Sequence, residues 1–218
     1  YLYRLLSTRP TDAIEQSFVR GDALSAPDVR LRDAMSQPLT ALKAWADSNT
    51  FSELSAVCSR FAAQSQSGIT RLLAGPTGER NSYAILPREH VLCLAEVESD
   101  LLTQLAAVLA VGGSAVWPET DLTKAVFPRL PKEIQAKIKR VADWTKDDVV
   151  FDAVLHHGDS DQLRAVCQQV AQRSGAIVGV HGLSQGETAI ALERLVIERA
   201  LSVNTAAAGG NASLMTIG

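Results

Sequence analysis

The sequence contains few of the residues that tie a chain to a disulfide framework, a zinc ion or a membrane. Only three cysteines occur among 218 residues. An odd number of widely spaced cysteines without C-x-x-C spacing argues against both disulfides and zinc. Charge or glycine interrupts every apolar run before it reaches the length of a membrane span, and the first residues lack a signal-peptide pattern. These features predict a globular protein of the cytoplasm.

An excess of charge of one sign is also missing. The chain has 21 Lys and Arg against 24 Asp and Glu, a net charge of −3. Both signs are interspersed, so no basic face for nucleic acid or an anionic membrane is expected.

The first residue is Tyr1 instead of Met, and an apolar stretch follows it, which favours a fragment of a longer polypeptide.

Helical periodicity dominates the first third of the chain. Apolar residues keep helical spacing over residues 31–46, and Pro38 is expected to split this stretch into two helices. Ser36 would cap the second of them. Thr50 and Glu53 form a capping-box pattern before a further apolar stripe, which predicts another helix.

Beyond residue 68, strand patterns alternate with helix patterns. Residues 69–73 and 82–86 flank a turn-rich loop and are predicted to pair as a flap-like hairpin. The predicted buried strands are residues 91–95, 114–117, 149–155 and 176–180, and the predicted helices are residues 101–109, 130–142 and 159–171. This alternation predicts an α/β fold with a Rossmann-like doubly wound parallel sheet of about four or more strands, preceded by a helical segment.

Two polar motifs were candidates for a binding site. Gly179, Gly182 and Gly186 form a loose glycine pattern after a predicted strand. It is not G-x-G-x-x-G, so a tight connection is favoured over a dinucleotide loop. His156 and His157 would point to opposite faces of an extended segment, which favours a polar turn over a metal site.

The remaining histidines and the cysteines suggest structural roles. His90 and His181 are isolated and flank predicted strands, without a carboxylate or nucleophile nearby in sequence. Cys58, Cys93 and Cys167 fall within apolar patterns, as core residues do. The residues alone therefore indicate no catalytic group and no metal site.

The last seventeen residues, 202–218, contain no charged side chain and end in an apolar cluster. Disordered chain ends are usually rich in charge and poor in apolar residues. A segment of that composition stays disordered because it cannot bury enough apolar surface to offset the entropy lost on ordering. This composition favours a segment that docks into a narrow slot. An ordinary last strand with a flexible end and a cloning remnant are the alternatives.

Several parts of the sequence resemble a known family. Residues 91–118 are similar to the strand-helix-strand that opens the nucleotide-binding half of aldehyde dehydrogenases. G-P-T-G-E-R-N-S-Y at residues 75–83 and S-V-N-T-A-A-A-G-G-N-A-S-L-M at residues 202–215 resemble the C-terminal domain of the long bacterial proline utilization A enzymes. The first six residues resemble the end of their aldehyde dehydrogenase module, so the resemblance covers nearly the whole chain.

The resemblance implies a bifunctional parent enzyme. Members of that family use FAD to oxidise proline and NAD to oxidise glutamate semialdehyde to glutamate, with an internal channel between the two sites. Some members also carry a DNA-binding repressor domain and associate peripherally with the inner membrane. The domain that this chain resembles is a non-catalytic lid on the channel. Its implied partner is the preceding dehydrogenase module, and a homodimer is a further expectation.

The chain departs from catalytic aldehyde dehydrogenases in ways that favour such a lid. Trp117 stands before Pro118, where the family carries a lysine that binds the cofactor ribose. Residues 181–184 read H-G-L-S instead of the G-S-T turn at the pyrophosphate, and no G-x-C nucleophile motif follows. The resemblance therefore implies no catalysis and no cofactor in this chain. A vestigial NAD-binding domain and oligomerisation through a flap at residues 75–86 are the alternatives.

The sequence thus divides into four predicted parts. These are the end of the preceding module (1–10), a helical segment (11–68), an aldehyde dehydrogenase-like α/β domain (69–201) and a docking motif (202–218). The predicted docking residues are Thr205, Gly209, Gly210, Asn211, Leu214 and Met215. The glycines permit close backbone approach, the asparagine can bond to backbone, and the last two residues supply an apolar anchor.

Overall fold

The computed structural model describes residues 29–73 and 78–204, with side chains from residue 37 onward. Helix α1 spans Val29–Ser48 without a break. The predicted split at Pro38, and the cap by Ser36, are therefore wrong. A proline inside a helix removes one backbone donor, but Leu39 and Leu42 just beyond it are buried in the core and hold the helix in place.

Helix α2 spans Ser52–Gln64. Leu54, Val57, Cys58 and Phe61 of its apolar stripe are buried as the periodicity predicts, whereas Ala62 is exposed. The capping box is not formed. Phe51 occupies the N-cap position without a side-chain hydrogen bond, and Thr50 has a φ of 62°. The Phe51 ring instead stacks on Trp45 at 5.3 Å, so an aromatic contact fixes the turn between the helices.

The predicted hairpin is confirmed. Strand β1 spans Thr70–Leu73 and strand β2 spans Glu79–Pro87. They pair antiparallel, with Leu72 opposite Ser82.

The α/β part follows, and it contains a five-stranded parallel sheet. Its elements are β3 (His90–Leu94), α3 (Glu98–Val111), β4 (Ser114–Pro118), α4 (Asp121–Val126), α5 (Lys132–Gln135), β5 (Ile138–Val141), β6 (Ala153–His157), α6 (Ser160–Ala171) and β7 (Gly179–Leu183). The strand order is β5-β4-β3-β6-β7. The chain moves outward from β3 in one direction and then in the other, so the predicted doubly wound α/β fold is confirmed.

The helix predicted over residues 130–142 is wrong in its second half. Only the turn Lys132–Gln135 is helical, and Ile138–Val141 forms β5 beside β4. Ile138 and Val141 are buried at the two ends of this short strand. Their spacing also fits a helix, and pairing with β4 decides between the two structures.

The strand predicted at 149–155 is displaced towards the carboxyl end. Strand β6 begins at Ala153 and ends at His157, and all five of its residues are buried. The predicted polar turn at the two histidines is therefore wrong. Strand β6 lies between β3 and β7, so pairing on both sides extends it through His156 and His157.

The last described element, β8, spans Val196–Asn204 and pairs antiparallel with β2 over its full length. Strands β1, β2 and β8 thus form a second, three-stranded sheet, here called the flap sheet. The sequence prediction contained the β1–β2 hairpin but missed its third strand.

Two apolar layers enclose the parallel sheet. On one face, α3 is buried from Asp100 to Val111 and packs with α1 and α2. On the other face, Val166 and Val170 of α6 pack against Val154 of β6. None of the helices within residues 29–73 and 78–204 is long and apolar enough to cross a membrane.

Candidate functional site

The carboxyl ends of β3, β4 and β6 surround a crevice of about 360 Å³. Strand β3 is the point at which the order of the sheet reverses, and doubly wound sheets bind ligands at this edge. We call this space the switch-point crevice. Its lining includes Trp144, His156 and Gln162, which are aromatic or polar side chains of the kind that hold a ligand.

His157 is tied into the fold by both ring nitrogens. Its Nδ1 accepts a hydrogen bond from Gln104 Nε2 at 2.8 Å, and its Nε2 donates to the Glu187 carbonyl at 2.8 Å. The same Gln104 amide also donates to the Leu94 carbonyl at 2.9 Å, which makes it the donor toward His157. These contacts set the tautomer and hold α3, β3, β6 and the segment after β7 together.

His156 lies on the opposite side of β6, as alternation in a strand requires. Its Nδ1 has no hydrogen-bond partner among the described residues. Burial, assisted by the neighbouring His157, lowers the pKa of His156, while Glu96 and Asp159 oppose this shift. The imidazole is therefore predominantly neutral near pH 7.

The glycine pattern does not form a phosphate loop. Gly179 and Gly182 lie inside β7, so the prediction that the pattern follows a strand is wrong. A Cβ on Gly182 would overlap a methyl carbon of Leu163, which shows how closely β7 approaches α6. Gly186 has a φ of 78°, and its N–H donates to the Asp100 carboxylate at 3.1 Å. Gly182 therefore serves packing and Gly186 serves turn geometry.

The cysteines are placed in two different environments. Cys58 and Cys93 are buried, as predicted, whereas Cys167 is exposed and the prediction of a core position is wrong. Residue 167 falls just outside the narrow buried stripe of Val166 and Val170 on α6. Burial raises the pKa of Cys58 to about 12 and also raises that of Cys93, which disfavours the thiolate needed for nucleophilic attack.

The histidines outside the crevice are also buried in part. His90 and His181 lie within β3 and β7. Burial, assisted by Arg194, lowers the pKa of His181. Within residues 29–73 and 78–204, no group of three His, Cys, Asp or Glu side chains could hold a metal ion.

The flap sheet has two unlike faces. Its inner face carries Ile85 and Val196, which are buried in the main core. Its outer face carries Leu72, Ile197, Leu201 and Val203, which are 40%, 42%, 49% and 44% exposed. Register places Leu72 and Leu201 on either side of Ser82, so these side chains share one surface. We call this surface the outer apolar face.

The sequence contained a signal for this face that the prediction missed. Ile197, Leu201 and Val203 occupy alternate positions of one strand, interrupted only by Arg199.

The six predicted docking residues, Thr205, Gly209, Gly210, Asn211, Leu214 and Met215, lie outside the described residues. Strand β8 runs directly up to the first of them.

Comparisons with known proteins agree with the family resemblance seen in the sequence. No protein-family model matches the chain. The bifunctional protein PutA of Escherichia coli (strain K12) is 53% identical over 218 residues, which is 100% of this chain and 16% of that protein. PutA of Salmonella typhimurium (strain LT2) matches with the same identity and coverage. The chain thus spans 16% of the length of these curated relatives.

Solved structures extend the likeness to the fold. A structure of proline utilization A with proline bound in remote sites has a TM-score of 0.56 with this chain at 16% identity. The likeness covers 79% of this chain and 23% of that one. With so low an identity, the TM-score of 0.56 shows a shared fold and nothing further.

Proposed function

Since this chain belongs to the PutA family and matches 16% of the length of its relatives, we propose that it is a non-catalytic assembly domain of a proline-catabolic enzyme. Its role is that of a lid. It covers the preceding dehydrogenase module of the same polypeptide and closes the channel through which the intermediate of proline oxidation passes to the second active site. FAD and NAD are held by the other parts of the parent enzyme.

The outer apolar face is the observation that carries this proposal. Ile197, Leu201 and Val203 expose between two fifths and half of their surface on a single strand. Burial of apolar surface contributes roughly 25 cal/mol per Å², so a grouped set of such side chains favours a covered state. The occupant is the preceding module, because β8 leads directly into the segment predicted to dock on it.

The chemistry of the described residues supports a role without catalysis. The buried thiols of Cys58 and Cys93 are held protonated. His157 uses both nitrogens for structural contacts. A lid contributes in another way, since it keeps a small intermediate from equilibrating with bulk water before it reaches the second site.

The proposal is tested in the full-length parent with a charge placed on the outer apolar face. Leu201→Glu is compared with Ala200→Glu, which adds the same charge at an exposed position on the opposite face of the same strand. A third variant lacks residues 202–218. The measurement is the lag before NADH appears when proline is the substrate, together with the amount of pyrroline-5-carboxylate that a solution trap captures.

Leu201→Glu and the truncation should lengthen the lag and increase the trapped intermediate, while Ala200→Glu should leave both unchanged. Proline oxidation measured alone should stay the same in every variant, because the lid is remote from that chemistry. The lid proposal is wrong if the lag and the amount of trapped intermediate are unchanged in both the truncated enzyme and Leu201→Glu.

A further inference from the structure

The switch-point crevice has a definite chemical character that the lid does not use. One wall is apolar and comes from Trp144, which is half-buried, and from Ala165 and Val166 of α6. The facing rim carries Glu96, which is exposed and follows β3. A ring-shaped ligand of modest size fits a space of about 360 Å³ with one flat apolar wall.

The electrostatics of the crevice disfavour phosphate. In nucleotide-binding folds, free N–H groups at a helix N-terminus bind the pyrophosphate. Here the carboxylate of Asp159 accepts the N–H groups of Asp161 and Gln162, at 2.9 Å and 2.8 Å, and so occupies the N-terminus of α6. Lys and Arg do not occur among the described residues that line the crevice.

A second carboxylate is held at the rim. One oxygen of Glu96 accepts a hydrogen bond from Gln162 Nε2 at 2.8 Å. Gln162 is itself positioned, because its Oε1 accepts the N–H of Asp159 at 3.0 Å. This chain of contacts fixes a negative charge at the rim of the crevice that holds the apolar wall.

A buried polar group also lines the crevice without a partner. His156 is 6% exposed, and its Nδ1 makes no hydrogen bond within the described part of the chain. This nitrogen is itself enclosed by protein, so a ligand in the crevice would contact other atoms of the ring. Asp159 and Glu96 are the charged groups that act on this ring, and both are negative.

We propose that the switch-point crevice binds a small planar cation, an aromatic amidinium, with Glu96 as its charged contact and Trp144 as its apolar wall. This site lies on the parallel sheet and does not depend on the lid role of the flap sheet. It also differs from a dinucleotide site in the sign of the charge that it selects.

The test uses three probes of nearly identical shape, added to the full chain. Benzamidine is cationic, benzamide is neutral and benzoate is anionic at pH 7, and NAD is the fourth ligand. Binding is measured by ligand-observed NMR and by the change in tryptophan fluorescence. Benzamidine should bind about fivefold more tightly than benzamide, a difference typical of one surface charge pair, and benzoate and NAD more weakly than either.

Matched variants locate the site. Glu96→Gln should reduce the affinity for benzamidine to that for benzamide, while Glu53→Gln, with the same change of net charge in α2, should leave it unchanged. Trp144→Phe should remove the fluorescence response and retain the NMR signal. The proposal is overturned if benzoate or NAD binds as tightly as benzamidine, if both glutamate variants weaken binding equally, or if none of the probes binds at millimolar concentration.

Discussion

The carboxylate of Asp100, in the first turn of α3, accepts a hydrogen bond from the backbone N–H of Gly186, 86 positions further along the chain. Asp100 is buried, and Gly186 adopts a left-handed backbone conformation. The contact joins α3 to the segment between β7 and β8. It therefore helps to set the position of the flap sheet relative to the parallel sheet.

Replacement of Asp100 tests this connection. Asp100→Ala should lower the free energy of unfolding by about 2 kcal/mol, because it leaves the Gly186 N–H without its acceptor. Asp100→Asn keeps an acceptor oxygen and should cost less. Urea denaturation measures both, and an alanine variant as stable as the wild type would contradict the importance of the contact.

Two glycines of β7, Gly182 and Gly179, differ in the space around their Cβ positions and so provide a test variant and its control. Gly182→Ala should destabilise the protein by about 1–3 kcal/mol, because the new Cβ would overlap the methyl carbons of Leu163. Gly179→Ala is the control, since nothing lies within 4 Å of its Cβ position. Shortening Leu163 to Ala in the Gly182→Ala background should recover part of the loss. Equal stability of the two single variants would refute this account.

Arg173 holds the loop before β6. Its guanidinium donates to the carbonyls of Trp144, Lys146 and Val149 and lies 4.4 Å from the centre of the Phe151 ring. Arg173→Ala should lower the free energy of unfolding by about 2 kcal/mol.

Arg173→Lys is the informative control. Lysine keeps the charge but lacks the planar guanidinium whose several N–H groups reach three carbonyls. Arg173→Lys should therefore recover less than half of the stability lost in Arg173→Ala. Thermal and urea denaturation give the ranking. Full recovery by lysine would mean that charge alone matters at this position.

Stability should depend on pH through the buried imidazole of His156. Its pKa is lowered from 6.5 in the folded chain, mainly by burial. Between the folded and the unfolded pKa, the unfolded chain binds more protons than the folded chain. The contribution of His156 to stability is therefore complete above pH 6.5 and is lost as the pH falls below it.

His156→Gln should therefore flatten the fall in the free energy of unfolding below pH 6.5. His181, whose pKa is also lowered, contributes a slope of the same sign, and the double variant should be flatter still. Parallel pH profiles for the wild type and His156→Gln would contradict this attribution.

Part of the fold was predictable because it depends on local pattern. Asp159 and Gln162 stand three residues apart at the start of an apolar stripe, which is capping-box spacing, and the capping box forms. The left-handed Gly112 ends α3, where a glycine pair follows the apolar stripe. Short apolar runs also placed β3 and β4, since strands buried on both faces need no alternation.

Other features needed long-range contacts. The stretch from Ile138 to Val141 has apolar spacing that suits either a helix turn or a strand, and only β4 beside it selects the strand. His156 and His157 look like a polar turn in sequence, whereas pairing with β3 and β7 draws them into the sheet. The switch-point crevice assembles residues from four separate stretches of chain, so no local pattern could reveal it.

The sequence by itself determined the order of most helices and strands, the α/β class and the resemblance to one enzyme family, because periodicity and motifs are local properties. The tertiary structure decided which apolar side chains remain exposed on the flap sheet, and it decided the sign of the charge in the crevice. Both depend on pairing and packing between residues far apart in the chain, which fix the surroundings of each side chain.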